Sequence, residues 1–240
     1  MTIDDSYTKA LLHFNCADGS TTFTDESGKT WTAYGNAQID TAQSVFGGAS
    51  GLFDGNGDYI STPYVADWTF GTGDFTVDFR VRWNALPTSG NFQTLWCMYK
   101  WDGTYHNLNG IDLYNNSGTY QIRFVTVEGI GGETINITKN ITLSVNTWYH
   151  IALVRNGTTF EFFQNGTSIG TGTDDSTLFD TNFTAVYIGY FGGGGGITRY
   201  FNGWMDEFRA SKGIARWTAN FTPPTSEYKY ISPSKTVWFF

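Results

Sequence analysis

Residues 201–224 decide the fold, and they read Phe201-Asn-Gly-Trp-Met-Asp-Glu-Phe-Arg-Ala-Ser-Lys-Gly-Ile-Ala-Arg-Trp-Thr-Ala-Asn-Phe-Thr-Pro-Pro224. After Gly203, apolar and charged residues are interspersed, a pattern that predicts a strand with acidic side chains beside a buried face. A turn is expected at residues 211–213, and the run 214–217 predicts one short helical turn. The two prolines end the stretch, because proline continues neither a helix nor a central strand.

The composition of the chain favours an all-β fold. Of its 240 residues, 18% are aromatic and 29 are glycine, whereas only 15% are charged. Chains rich in aromatic residues, Thr and Gly, with few long helix-forming side chains, are typical of β-sheets. This length suits one large sandwich with a substantial core.

The strand and turn signals indicate a single sandwich. Every second residue is apolar from residue 74 to 83, which predicts a long strand with one buried face. The Asn-Gly pairs at 156–157 and 165–166 predict two tight turns of a β-meander. No linker interrupts the pattern, so we expect one domain over residues 1–228, followed by a tail at 229–240.

Five blocks of sequence resemble laminin-G-like domains of the concanavalin A-like lectin/glucanase superfamily. In chain order they are residues 52–60, 148–157, 163–166, 186–189 and 201–224. The resemblance implies a two-sheet antiparallel jelly-roll β-sandwich. The closing block is similar to the variant found in bacteriophage and bacterial surface proteins. Because the superfamily includes lectins, structural modules and some glycan hydrolases, the resemblance implies a fold and leaves the ligand open.

The acidic residues of the closing strand do not form a hydrolase motif. Asp206 and Glu207 are adjacent, and neighbouring residues of a strand are expected to point to opposite faces. A retaining glycosidase needs two carboxyl groups about 5–5.5 Å apart on one face. The glucanase branch of the superfamily carries a Glu-x-Asp-x-x-Glu strand, which this sequence lacks. We therefore expect a protein that is not an enzyme, with glycan hydrolysis as the third alternative.

Calcium is the cofactor that the resemblance implies, because jelly-roll lectin domains of this kind often bind it. Calcium takes carboxylate and carbonyl oxygens from loops. The positions that match are Asp25, Asp58 and Asp206. The alternative is that these aspartates cap turns, as Asp does routinely.

The densest aromatic loop predicts a glycan site. Trp101 and Tyr105 are interleaved there with Asp102 and Asn107. Sugars present apolar C–H faces and hydroxyls, so exposed aromatic rings beside polar side chains suit them. The alternative is that the aromatic residues fill the core, which we expect for Trp96.

The two cysteines leave two possibilities open. Cys16 and Cys97 are too few for a disulfide framework. One bridge between them is compatible with the sequence, and two reduced, buried thiols are favoured over it.

The charge of the chain limits its partners. The formal net charge is −8, and the 14 basic residues form no run. Nucleic acid and an anionic membrane surface are disfavoured, because both need clustered Lys and Arg. No apolar run has the length of a membrane span, so we expect no membrane insertion.

The two ends of the chain predict where it works. The first six residues lack the basic and apolar regions of a signal peptide. Together with the closing block, this predicts a bacteriophage virion surface protein that is made in the host cytoplasm and adheres to host glycans. The apolar end of the tail at 229–240 predicts docking on other virion proteins or on copies of the chain, as an oligomer or part of a larger assembly. The alternative is a stand-alone or accessory carbohydrate-binding lectin, which would be extracellular.

Overall fold

The computed structural model describes residues 5–101, 106–129, 132–178, 183–192 and 198–230, and at residues 101, 106 and 107 it describes the backbone alone. The strands in these ranges are β1 Thr8–Leu12, β2 Thr32–Tyr34, β3 Gln38–Asp40, β4 Ser50–Asp54, β5 Tyr59–Pro63, β6 Phe75–Trp83, β7 Phe92–Trp101, β8 His106–Asn116, β9 Thr119–Gly129, β10 Glu133–Asn140, β11 Trp148–Asn156, β12 Thr159–Gln164, β13 Thr167–Thr173, β14 Ala185–Ile188, β15 Tyr190–Gly192, β16 Thr198–Tyr200 and β17 Asn202–Lys212. Among the described residues the longest helical segment is a 3-10 turn at Ala66–Trp68, which is far too short to cross a membrane.

Two antiparallel sheets form the sandwich. One has the order β13-β12-β11-β6-β17-β4-β3, with β1 paired to β17, and has eight strands. The other has seven strands in the order β10-β9-β8-β7-β14-β5-β2. The predicted two-sheet antiparallel jelly-roll sandwich is confirmed.

The core lies between the two sheets and follows the alternation of the sequence. The inward side chains of β6 are completely buried, and they are Phe75, Val77, Phe79, Val81 and Trp83. Trp96 of β7 is also completely buried in this core, as the sequence predicted. The burial of apolar surface contributes about 25 cal/mol per Å² and is the main source of stability in such a core.

The meander signals are confirmed as well. The two Asn-Gly turns join β11 to β12 and β12 to β13, and both glycines have positive φ, 59° at Gly157 and 77° at Gly166. Gly189, whose φ is 88°, separates β14 from β15. A separate hairpin, β15–β16, begins there.

Residues 214–229, called here the C-terminal strap, cross the outer face of the eight-stranded sheet. Trp217 and Phe221 stack 4.0 Å apart and pack on a small apolar cluster from β11 and β12. The predicted helical turn at 214–217 does not form. The reason is that Thr76 of β6 takes the backbone groups a turn would use, since its hydroxyl donates to the Ile214 carbonyl and accepts from the Arg216 N–H.

Candidate functional site

Four tyrosines, Tyr34, Tyr59, Tyr190 and Tyr200, form a stacked column on the outer face of the seven-stranded sheet. Tyr34 and Tyr59 are direct cross-strand partners, with ring centres 4.4 Å apart and ring planes 9° apart. The Tyr59 ring stacks on Tyr190 at 4.5 Å, and Tyr190 on Tyr200 at 5.2 Å. The neighbouring Ile60 points into the core, so alternation places Tyr59 on the outside. We call this group the tyrosine column.

The column offers two kinds of surface to a ligand. Stacked rings cover one another's faces, so the free ring faces are those at the two ends of the column, Tyr34 and Tyr200. Tyr34 is 43% exposed at the edge strand β2, whereas Tyr200 is half-buried. The phenolic hydroxyls supply hydrogen-bond donors and acceptors. Burial, reinforced by the neighbouring tyrosines, raises the pKa of Tyr59 and raises that of Tyr190 to about 12. These two hydroxyls are therefore protonated and neutral at physiological pH.

The column is built from two separate parts of the fold. Tyr34 and Tyr59 belong to β2 and β5 of the sheet, whereas Tyr190 and Tyr200 are cross-strand partners in the β15–β16 hairpin. This hairpin pairs only with itself among the described strands, and it lies against β7. The position of the hairpin therefore decides whether the four rings stack.

Sequence reasoning missed the tyrosine column. Its four residues lie at strand ends, and two of them, Tyr34 and Tyr190, are next to a glycine, Gly35 and Gly189. Tyrosines at the ends of strands were the available signal. The pairing itself was invisible, because it depends on which strands are neighbours in space.

The predicted glycan loop is described only in part. Asp102 and Tyr105 lie outside the described residues, and so do the side chains of Trp101 and Asn107. The backbone places Trp101 opposite His106 and Lys100 opposite Asn107, at the far ends of β7 and β8. A glycan site in this loop stays a prediction.

The three predicted calcium ligands are each engaged by nearby groups of the protein. Asp25 accepts hydrogen bonds from the Ser27 N–H at 2.7 Å and from the Trp31 indole at 3.0 Å. Asp58 accepts from the N–H groups of residues 36 and 54, and Asp206 from those of residues 45 and 46. Within the described part of the chain, no three His, Cys, Asp or Glu side chains are grouped to hold a metal ion. The three aspartates thus do not fit one calcium site, and calcium binding stays a prediction.

The adjacent carboxylates of β17 lie on the same face of the sheet, and the prediction of opposite faces is wrong. A β-bulge between Asp206 and Arg209 inserts one extra residue, and Glu207 has a φ of 51°. Met205 and Phe208 both point into the core, so both carboxylates between them point outward.

Both carboxylates are nonetheless closed off from substrate. Both side chains are buried, Asp206 against the N–H groups of residues 45 and 46 and Glu207 against the C-terminal strap. Glu207 pairs with His13 and accepts a hydrogen bond of 2.8 Å from the Tyr228 N–H. The burial of His13 opposes its protonation, but the Glu207 carboxylate outweighs this effect and raises the His13 pKa. The arrangement is a buried polar network.

A second ionic group lies beside this network. Asp78 accepts two hydrogen bonds from Arg209, at 3.0 and 3.3 Å, and a short one from the Tyr228 hydroxyl. Burial alone would raise the Asp78 pKa, but the charge of Arg209 and the donors around it hold that pKa well below its usual range. His150 is completely buried there, and burial lowers its pKa.

A comparison of the sequence with protein families identifies the fold family. The laminin G family model described as the concanavalin A-like lectin/glucanases superfamily matches residues 54–215. The chain belongs to this superfamily. The matched range contains Tyr59, Tyr190 and Tyr200 of the column, and Tyr34 precedes it. No curated protein matches the sequence of this superfamily member.

Solved structures share the fold of this superfamily member at low sequence identity. Domain 4 of AbnA, a GH43 extracellular arabinanase from Geobacillus stearothermophilus, in complex with arabinotriose, matches with a TM-score of 0.62 and 17% identity, over 88% of this chain and 95% of that one. The binding domain of Paraclostridial Mosquitocidal Protein 1 matches with a TM-score of 0.60 and 16% identity, over 87% of this chain and 49% of that one. The binding domain of botulinum neurotoxin DC in complex with SialylT matches with a TM-score of 0.59 and 15% identity, over 87% and 49%. The chain thus spans about half the length of the toxin binding domains that it matches.

The two cysteines of this superfamily member are not joined by a disulfide, in line with the arrangement that the sequence favoured. Cys97 is completely buried, whereas Cys16 is only partly buried, contrary to the expectation of two buried thiols.

Proposed function

We propose that this chain is a non-enzymatic carbohydrate-binding module that holds a glycan against the tyrosine column. The observation that carries the proposal is Tyr34, a residue that is 43% exposed and stands at one end of a stack of four tyrosines. A pyranose or furanose ring packs its C–H face on such a ring, and its hydroxyls bond to the neighbouring phenols.

The geometry favours a neutral or weakly charged glycan at this position. The column consists of hydroxyls and ring edges, and the raised pKa values of Tyr59 and Tyr190 keep those hydroxyls un-ionised. The arabinotriose complex of the matched arabinanase domain supports the choice of oligosaccharides as first probes. The buried position of Asp206 and Glu207 supports a binding role over hydrolysis.

Calorimetric titration with a panel of neutral oligosaccharides that includes arabinotriose tests the proposal. We expect Tyr34→Ala to weaken binding by about two- to tenfold, because one aromatic stacking contact contributes about 0.5–1.5 kcal/mol. Tyr7→Ala is the matched control, since Tyr7 is 42% exposed and precedes β1, in the other sheet. The proposal fails if no oligosaccharide binds or if Tyr34→Ala binds as the unmodified chain does. Loss of binding in Trp101→Ala alone would place the site in the loop at residues 101–107.

The location of the module is a separate proposal. The similarity of residues 201–224 to bacteriophage surface proteins supports a virion surface, with the tail at 229–240 docking on other virion proteins or on further copies. Mass spectrometry of purified particles tests it. Detection of the chain at a fixed ratio to the major shell or fibre protein supports the location, and its presence in the medium alone contradicts it.

A further inference from the structure

The β15–β16 hairpin has two chemically different faces. On one face Tyr190 and Tyr200 are cross-strand partners, and they belong to the tyrosine column. On the other face Phe191 and Arg199 are cross-strand partners, with the guanidinium 4.9 Å from the ring centre. Because side chains alternate along a strand, one face can hold the sheet while the other completes the column.

Phe191 anchors the hairpin in a small apolar cluster on the outer face of the sheet. Its ring lies 4.8 Å from that of Tyr99 in an edge-on arrangement, and it packs with Cys97, Leu108 and Val125. This cluster is separate from the main core between the two sheets. Apolar contact of this kind holds the hairpin near β7 but fixes its orientation only loosely.

Arg199 fixes that orientation with a charged pair. Its Nη1 donates to the Asp112 carboxylate at 2.6 Å, and its guanidinium lies 4.0 Å from the centre of the Phe92 ring. Asp112 is almost completely buried, and its other oxygen accepts a 2.6 Å hydrogen bond from Thr94. Each carboxylate oxygen thus has its own hydrogen-bond donor. Because little solvent surrounds the pair, it tolerates only a narrow range of Arg199 orientations.

We propose that Arg199 is a positioning residue for glycan binding: its pair with Asp112 holds the β15–β16 hairpin where Tyr190 and Tyr200 complete the column begun by Tyr34 and Tyr59. The inference rests on the proposed function. It makes the glycan site a two-part site, assembled only while the hairpin is docked on β7 and β8. Ligand binding and hairpin docking are then thermodynamically coupled.

Cys97 reports directly on the docking of the hairpin. Its Sγ donates to the Tyr190 carbonyl at 3.1 Å, and the residue is completely buried next to Phe191. Burial also raises the pKa of its thiol well above the usual value, so it is unreactive while covered. Undocking of the hairpin removes this cover. In a Cys16→Ser background Cys97 is the only thiol of the chain.

The test measures the reaction of Cys97 with dithionitrobenzoate in Cys16→Ser chains, together with the affinity for arabinotriose or the tightest-binding oligosaccharide of the panel. We expect Arg199→Met to speed thiol labelling and to weaken glycan binding, each by about tenfold or more. The reason is that the fraction of chains with an undocked hairpin determines both the labelling rate and the affinity. Arg199→Lys keeps the charge but loses the planar guanidinium. Its labelling rate and its glycan affinity should therefore lie between those of the unmodified chain and those of Arg199→Met. Saturating glycan should slow labelling of the unmodified chain, because bound glycan favours the docked hairpin. A merely structural role of Arg199 does not predict this slowing.

Arg82→Met is the matched control, since Arg82 also lies over an aromatic ring, Trp204 at 4.7 Å, but on the eight-stranded sheet. It should leave the labelling rate unchanged. Labelling that is insensitive to low urea identifies local opening, whereas a steep urea dependence identifies global unfolding and overturns the inference. Glycan affinity that survives Arg199→Met also overturns it. Failure of the proposed function is seen separately, as an absence of binding by the unmodified chain.

Discussion

The guanidinium of Arg209 lies 3.6 Å from the centre of the Tyr228 ring, and both side chains bond to the carboxylate of Asp78. Arg209 and Asp78 belong to the paired strands β17 and β6, whereas Tyr228 belongs to the C-terminal strap. The strap is therefore held to the sandwich by a buried ionic group at this end and by the stacked pair Trp217 and Phe221 at the other.

The Tyr228 hydroxyl is expected to stabilise the strap measurably. Tyr228→Phe keeps the ring on Arg209 but removes the donor to Asp78, so we expect a loss of about 1–2 kcal/mol in the free energy of unfolding. Urea denaturation measures it, with Tyr7→Phe as the control because Tyr7 is exposed. Equal stabilities for the two variants would contradict an energetic role for this hydrogen bond.

The Arg209 and Asp78 pair should show strong coupling. Removal of one partner leaves the other charge buried, so Arg209→Met and Asp78→Asn are each expected to cost about 3–5 kcal/mol. The double variant should cost clearly less than the two losses added together, because the charge left over by one change is removed by the other. Chemical denaturation of all four chains completes the cycle. Additive losses would show that the two side chains act independently.

The two Asn-Gly turns of the meander are expected to tolerate substitution differently. Both glycines have positive φ, so alanine at either position incurs backbone strain of about 1–2 kcal/mol. A Cβ at Gly157 meets no atom within 4 Å, but at Gly166 it would lie 1.9 Å from the Phe221 carbonyl oxygen of the strap. Gly166→Ala should therefore lower the thermal midpoint much further than Gly157→Ala. Similar thermal midpoints for the two variants would mean that the strap moves away from the added methyl group without loss of stability.

These turns also show which structural features can be predicted from the sequence. The alternation in β6 and the Asn-Gly signals predict local structure correctly, because strand period and turn chemistry depend on neighbouring residues. The contact between Gly166 and Phe221 is not predictable in that way. It depends on the path of the strap over the sheet.

The closing strand shows the same limit at the level of the site. Its apolar pattern predicts β17, but the bulge that turns Asp206 and Glu207 to one face arises from pairing with β6 and requires a positive φ at Glu207. The tyrosine column is likewise a product of pairing, since Tyr59 meets Tyr34 across one pair of strands and Tyr190 through a hairpin. Single-residue signals identify the aromatic residues and leave their neighbours undetermined.

Asp206 is expected to make stability fall as the pH rises from about 4 to about 7. Its Oδ2 accepts hydrogen bonds from the N–H groups of Val45 and Phe46, and its Oδ1 has no partner among the described residues. Burial raises its pKa from 3.8 to about 7, although the backbone donors oppose that shift. Across this window the folded chain keeps a proton that the unfolded chain has released. The proton therefore stabilises the fold fully below pH about 4 and no longer does so above pH about 7.

Asp206→Asn removes this ionisation and keeps the acceptor for the two N–H groups. Relative to the unmodified chain, its free energy of unfolding should therefore rise with pH, by at most about 4 kcal/mol between pH about 4.5 and about 7.5. Urea denaturation at several pH values measures the difference, and the nearby His13 contributes to both chains. Asp175→Asn, at an exposed position, should run parallel to the unmodified chain. A parallel profile for Asp206→Asn would instead mean that Asp206 is ionised in the fold throughout, and that Arg80 or water compensates its charge.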